Sequence, residues 1–178
     1  MILDKKLMDS LSQQAKESPR LRQAFDLRTT PNDSSQRILN AVEPGTILPI
    51  HRHRSSTETI IVLRGKVVQH YYNDAGEKIA SYELAPNSAQ VGMSVPVCQW
   101  HALESLEEGS VIFECKDGAY QPLSAEDILE VEISGKDYPP PEGIEKFASY
   151  ALTVNTCKQL FLPKRSLHKL PANQAATA

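Results

Sequence analysis

The chain has 178 residues, 40% hydrophobic and 23% charged, a balance typical of folded globular proteins and far from the compositions of disordered chains. Its length suits one domain around a single sizeable core. A formal charge of -3 leaves no global basic field for phosphate backbones or anionic lipid, so neither nucleic acid nor a membrane is an expected partner.

The opening stretch MILDKKLMDSLSQQAKES carries Asp4, Lys5, Lys6 and Asp9, which break the apolar run that a signal peptide or membrane span needs. A cytoplasmic location is the expectation. Leu3, Leu7, Met8, Leu11 and Ala15 recur at helical spacing and predict an amphipathic helix over 3–17, with Asp4 in its first turn, ending near Ser18-Pro19.

From about 36 to 116 the pattern changes to short runs rich in Val, Ile, Leu and Tyr: QRILNAV, TETIIVLRG, KVVQHYY, KIASYEL, AQVGMSV, QWHALESL and SVIFECK. Turn residues separate them at 43–45, 73–76, 85–87 and 107–109. Strands this frequent, with no helical pattern between them, predict a mainly β fold, an antiparallel sandwich or small barrel, and exclude a parallel nucleotide-binding sheet. Beyond Tyr120 the stretch SAEDILEVEI reads either as a helix capped at Ser124 or as an edge strand, and Tyr138-Pro139-Pro140-Pro141 ends whatever precedes it. Residues 142–162 have loose helical periodicity, and the tail reads as frayed. Cys98, Cys115 and Cys157 are odd in number and contain no CxxC pair, as expected of reduced thiols rather than a disulfide framework.

His51 and His53 are one residue apart on a predicted strand, so their imidazoles share a face and Arg52 points away. The polar stretch 54–57 can turn the chain and return Glu58 beside them, and Gly65 closes the following apolar run. Pro96-x-Cys98-x2-His101 brings a further histidine into a strand just after a proline turn. Three neutral imidazoles and a carboxylate suit one borderline divalent ion, Zn, Fe, Mn, Ni or Co, with positions left for water or substrate. Two histidines alone also fit a solvated strand face; the ordered spacing and His101 favour the metal.

The order Gly45-x5-His51-x-His53-x4-Glu58-x6-Gly65 resembles the first cupin motif at every fixed position. The second cupin motif is matched at Pro96 and His101, with departures at Gln90, Cys98 and Ser105, where the family has glycine, glycine and asparagine. The resemblance implies a small jelly-roll barrel with a metal held by His51, His53, Glu58 and His101, and a homodimer. SPRLR, QRILNAVEPGT, HRH, QWH and ECKDGAYQP further resemble the WbuC family of cupin-fold metalloproteins, associated with bacterial surface polysaccharide loci, over roughly residues 1–125. Asp26 and Ile50 depart from that pattern, where asparagine and proline are expected.

The expected organisation is an N-terminal helix and arm at 1–34, the barrel at 35–123 and a partly helical extension at 124–178. Arg37, Asn40, Glu114 and Trp100 are candidate contacts for an anionic or sugar-like small molecule, and Lys116 and Tyr120 candidate base and proton donor. Alternation puts Glu114 and Lys116 on one face of their strand, where they equally fit a surface ion pair. His70 reads as a strand residue, Trp100 also as a packing residue and Cys98 as a small packing residue; His168 receives no role. The functional expectation is a metal-dependent isomerase or epimerase acting on a sugar or nucleotide-sugar. An Fe(II) dioxygenase and a metallated sugar-binding or sensor module without turnover are the alternatives.

Overall fold

The computed structural model describes residues 1–46 and 48–129. Two five-stranded antiparallel sheets face each other. The first, in spatial order, contains β1 (Arg22–Asp26), β2 (Ser35–Val42), β9 (Ser110–Asp117), β4 (Glu58–Arg64) and β7 (Gly92–Val95). The second contains β10 (Ile128–Leu129), β3 (Ile50–His51), β8 (Trp100–Ser105), β5 (Val67–Tyr72) and β6 (Lys78–Leu84). Each run read as a strand in the sequence is a strand. The short strand at His51, β3, the edge strand β10 and the additional strand β1 complete the sheets, and β1 and β10 come from outside the span 35–123.

Alternation along the strands builds the core. Val42, Ile60, Val62, Val67, Leu84, Val95, Leu103 and Ile112 form one buried cluster between the sheets. Glu58 is in step with Ile60 and Val62 on β4, and His101 with Leu103 on β8, so both are carried on inward faces at one end of this apolar filling. The opposite face of β2 and β9 presents Leu39, Ala41 and Val111 to α1 (Lys5–Glu17), whose Leu11 and Ala15 are buried against them. The helix begins one residue later than a first-turn Asp4 would require: Asp4 is the N-cap, and its Oδ1 accepts from the Leu7 amide at 2.9 Å. Asp4→Ala is expected to cost about 1 kcal/mol, the usual loss for an N-cap, read as a lower urea midpoint at unchanged slope.

The two readings of SAEDILEVEI both apply in part: a single 3-10 turn at Ala125–Asp127 follows Ser124, and the edge strand β10 comes next. The expected helix at 142–162, Cys157 and His168 lie outside the described residues. Among the described residues Cys115 is a free thiol, as expected of a reduced cysteine. No helix among the described residues is long and apolar enough to cross a membrane.

Candidate metal centre

The four predicted ligands converge. One donor atom from each of His51, His53, Glu58 and His101 lies within 4.8 Å of all the others. The convergence follows from sheet register. His51 on β3 stands opposite His101 on β8, and their rings are 4.2 Å apart. His53 lies just beyond β3, its ring centre 5.0 Å from that of His51. Glu58 opens β4 and reaches across from the facing sheet, with one carboxylate oxygen 3.3 Å from His101 Nε2 and the other 3.3 Å from His53 Nε2.

Ring orientation is fixed from outside the cluster. His51 Nδ1 lies 3.0 Å from the Pro49 carbonyl and His101 Nδ1 2.8 Å from the Gln99 carbonyl, in both cases the residue two before the histidine. A carbonyl only accepts, so Nδ1–H donates in each and the Nε2 lone pair faces the cluster. Lone pairs and a carboxylate packed against one another in a buried site call for a cation between them, and nitrogen with oxygen donors match a borderline divalent ion. The electrostatics agree. Burial, reinforced by the neighbouring His101, pushes the His51 imidazole down to about 3. Burial works to raise the Glu58 carboxyl, but the His101 and His53 imidazoles beside it hold it well below its usual range.

Of the expected pocket residues, three stand together on the wall of the first sheet. Lys116 pairs with Glu58 across β9 and β4, and its Nζ is 3.1 Å from His53 Nδ1 and 4.0 Å from Glu58 Oε1. Glu114, one inward position further along β9, accepts a 2.6 Å hydrogen bond from Asn40 Nδ2. Burial and the nearby Glu58 charge push the Glu114 carboxyl up to about 8, and burial pushes the Lys116 ammonium down. Glu114 and Lys116 therefore share a half-buried inner wall, not an exposed surface pair.

Three others are placed elsewhere. Arg37 is in step with Leu39 and Ala41 on the helix-covered face and pairs with Asp33 at 3.0 Å. Trp100 alternates with His101 onto the outer face of the second sheet, packing with Ile50 and Ala102 and donating Nε1–H to Asp74. Tyr120 is 54% exposed in the loop after β9, with the Arg28 guanidinium over its ring. His70 is also outward, hydrogen-bonded to Ser81 and Glu104. Tyr71, directly opposite His101 on β5, packs on the core and was not singled out in the sequence. The period-two pattern of VVQHYY, with Val67 inward, was the available signal for it.

The second motif's departure at Cys98 has a local consequence. Its φ is 64°, left-handed backbone that suits the glycine of the cupin pattern, and its N–H donates to the His53 carbonyl at 2.7 Å. The turn is thus kept without the glycine, at a cost of about 1 kcal/mol or more in backbone strain.

A family model described as "Domain of unknown function (DUF6016)" matches residues 3–84. No curated protein matches the sequence. Among solved structures, the chain resembles the capsular polysaccharide assembling protein CapF from Staphylococcus aureus at 21% identity and a TM-score of 0.50, over 59% of this chain and 30% of that one. KdgF from Halomonas sp. is similar at 19% identity and a TM-score of 0.44, over 57% of this chain and 82% of that one. The Schizosaccharomyces pombe Cnp3 cupin domain matches at 10% identity and a TM-score of 0.44, over 55% and 64%. The chain spans about 30% of the length of the CapF chain it matches. The fold is that of a cupin-type jelly roll, and the His51, His53, Glu58 and His101 cluster is its candidate metal centre.

Proposed function

We propose that this protein is a metal-dependent cupin enzyme acting on a sugar or nucleotide-sugar in surface polysaccharide biosynthesis, by isomerisation or epimerisation, as a cytoplasmic homodimer. The observation that carries the chemistry is the adjacency of Lys116 and the Asn40–Glu114 pair to the His3Glu cluster on one inner wall. The polysaccharide context rests on the resemblance of residues 1–125 to the WbuC family.

His51, His53, Glu58 and His101 would hold the ion, which when bound supplies a Lewis acid for a carbonyl or hydroxyl oxygen. Lys116 provides the ammonium that anchors an anionic or oxygen-rich substrate beside it. Glu114, oriented by Asn40 and poised near neutrality, takes or returns a proton at the adjacent carbon. Tyr120, exposed and turned to Arg28, has no part in this arrangement.

The test is to incubate metal-loaded protein with a panel of nucleotide-sugars in D2O and follow deuterium at the sugar carbons by NMR. Incorporation is expected. Tight binding without incorporation would instead make the protein a sugar-binding module, and oxygen consumption with Fe(II) would make it a dioxygenase. Lys116→Met should weaken binding of an anionic sugar about 10–100-fold, the loss of one charge-assisted hydrogen bond of about 1.5–3 kcal/mol. Calorimetry checks this at equal metal content.

A further inference from the structure

We infer that Asp127, in the segment that follows the barrel, is a positioning residue for the metal cage, clasping Arg52 and Arg54 so that His51 and His53 keep their aim. The inference rests on the reading of His51, His53, Glu58 and His101 as a metal site.

The segment that carries the two histidines is poorly held by its own sheet. β3 is two residues long, and its only registered partner on β8 is His101 opposite His51. Among the described residues its other edge is supplied by β10, which pairs Ile128 with His51 and Leu129 with Ile50. Just before that pairing, Asp127 engages the residue between the two histidines twice. Its carbonyl accepts from the Arg52 amide at 3.1 Å, and its carboxylate accepts from Arg52 Nε at 3.2 Å. The same carboxylate accepts from Arg54 Nε, on the far side of His53, and from the Ser124 hydroxyl at 2.9 Å. The Glu126 carbonyl accepts from both guanidinium groups, at 3.2 and 3.3 Å.

Arg52 is further fixed by Trp100, whose ring centre lies 4.2 Å from its Cζ. Trp100 immediately precedes His101, so one guanidinium joins the outer sides of β3, β8 and the Asp127 turn. The Arg52 and Asp127 side chains are only 16% and 17% exposed, so their pairing is less screened than an ordinary surface bridge. Alternation gives this clasp its leverage. With Arg52 outward between His51 and His53 in a segment held by so short a strand, any twist that frees Arg52 turns both imidazoles. The effect works through the histidines and touches neither ion nor substrate, as groups behind metal ligands do elsewhere.

The test compares parent, Asp127→Asn, Asp127→Ala and Asp127→Glu, with Asp26→Asn as a surface-bridge control, by chelator competition with Co(II), its absorption spectrum, and the melting temperature of the metal-free protein. Asp127→Asn and Asp127→Ala are expected to bind Co(II) about 10–100-fold more weakly, with an altered d–d spectrum and a melting temperature close to the parent's. Asp127→Glu, which keeps the charge, is expected to recover part of the affinity, and Asp26→Asn to match the parent. Parent-like affinity and spectrum in Asp127→Ala would overturn the clasp and leave the metal site standing. An affinity loss that merely follows a fallen melting temperature, with an unchanged spectrum, would overturn it too. A parent that binds no Co(II) would overturn the metal site and the clasp together.

Discussion

His101→Ala is expected to lower affinity for a divalent ion on the order of 10²–10³-fold. Sites with four protein ligands bind Zn with about 10–16 kcal/mol, or ~2.5–4 kcal/mol per ligand, and each 1.4 kcal/mol is tenfold. His101 is the most buried of the four at 2% exposed, and it alone ties the cluster to β8, so no neighbouring side chain on that strand can take its place. Two controls separate ligation from general damage. His70→Ala removes an imidazole from β5 that faces Ser81 and Glu104, and it should leave metal content unchanged. Near-ultraviolet circular dichroism of metal-free His101→Ala should remain native, because Leu103 and its partners in the apolar cluster stay in place. Stoichiometric tight metal in His101→Ala, or equal loss in both variants, would show that the ion sits elsewhere.

The ligands were legible in the sequence because their constraint is short-range. His51 and His53 share a face by strand period alone, and the distance to Glu58 is one turn of chain. His101 was harder, since its delivery depends on β8 pairing with β3, a long-range fact that only the motif pattern suggested. The inner wall was half legible. Alternation correctly put Glu114 and Lys116 together, but alternation fixes sidedness within a strand and not which side is inside. For β9 the inner side is the one opposite α1, and the outer side is occupied by Val111 and Phe113 against the helix. The same ambiguity put Arg37 and Trp100 in the pocket in prospect and on outer faces in the structure. Being adjacent to a ligand, as Trp100 is to His101, guarantees the opposite face. The short strands β3 and β10 were legible only as a strand around the histidines and as one of two readings of SAEDILEVEI; two-residue pairings leave no periodicity that shows which strands pair, and the clasp built on them appears only in three dimensions.

A large loss of stability from a single methyl group is expected at Gly65, the glycine that closes the first motif. Its φ is +76°, which costs an L residue about 1–2 kcal/mol. A Cβ there would also lie 2.3 Å from Ser110 Oγ and 2.7 Å from Ser110 Cα. Ser110 cannot retreat cheaply: it is fully buried, and its hydroxyl donates to the Glu107 carbonyl at 2.7 Å and accepts from the Lys66 amide at 3.2 Å. Relieving the clash must therefore shift the start of β9, adding an overpacking cost of about 1–3 kcal/mol. Gly65→Ala should lose about 2–5 kcal/mol in urea unfolding. Gly118→Ala supplies the discriminating comparison, since Gly118 has φ +94° with nothing within 4 Å of the added Cβ. It should lose only the backbone share, so the difference between the two variants measures the contact with Ser110. Equal losses would mean that the glycine is required for backbone conformation alone. A larger loss at Gly65, together with weaker metal binding, would show that the displacement runs along β9 to Lys116 and the ligand Glu58 opposite it.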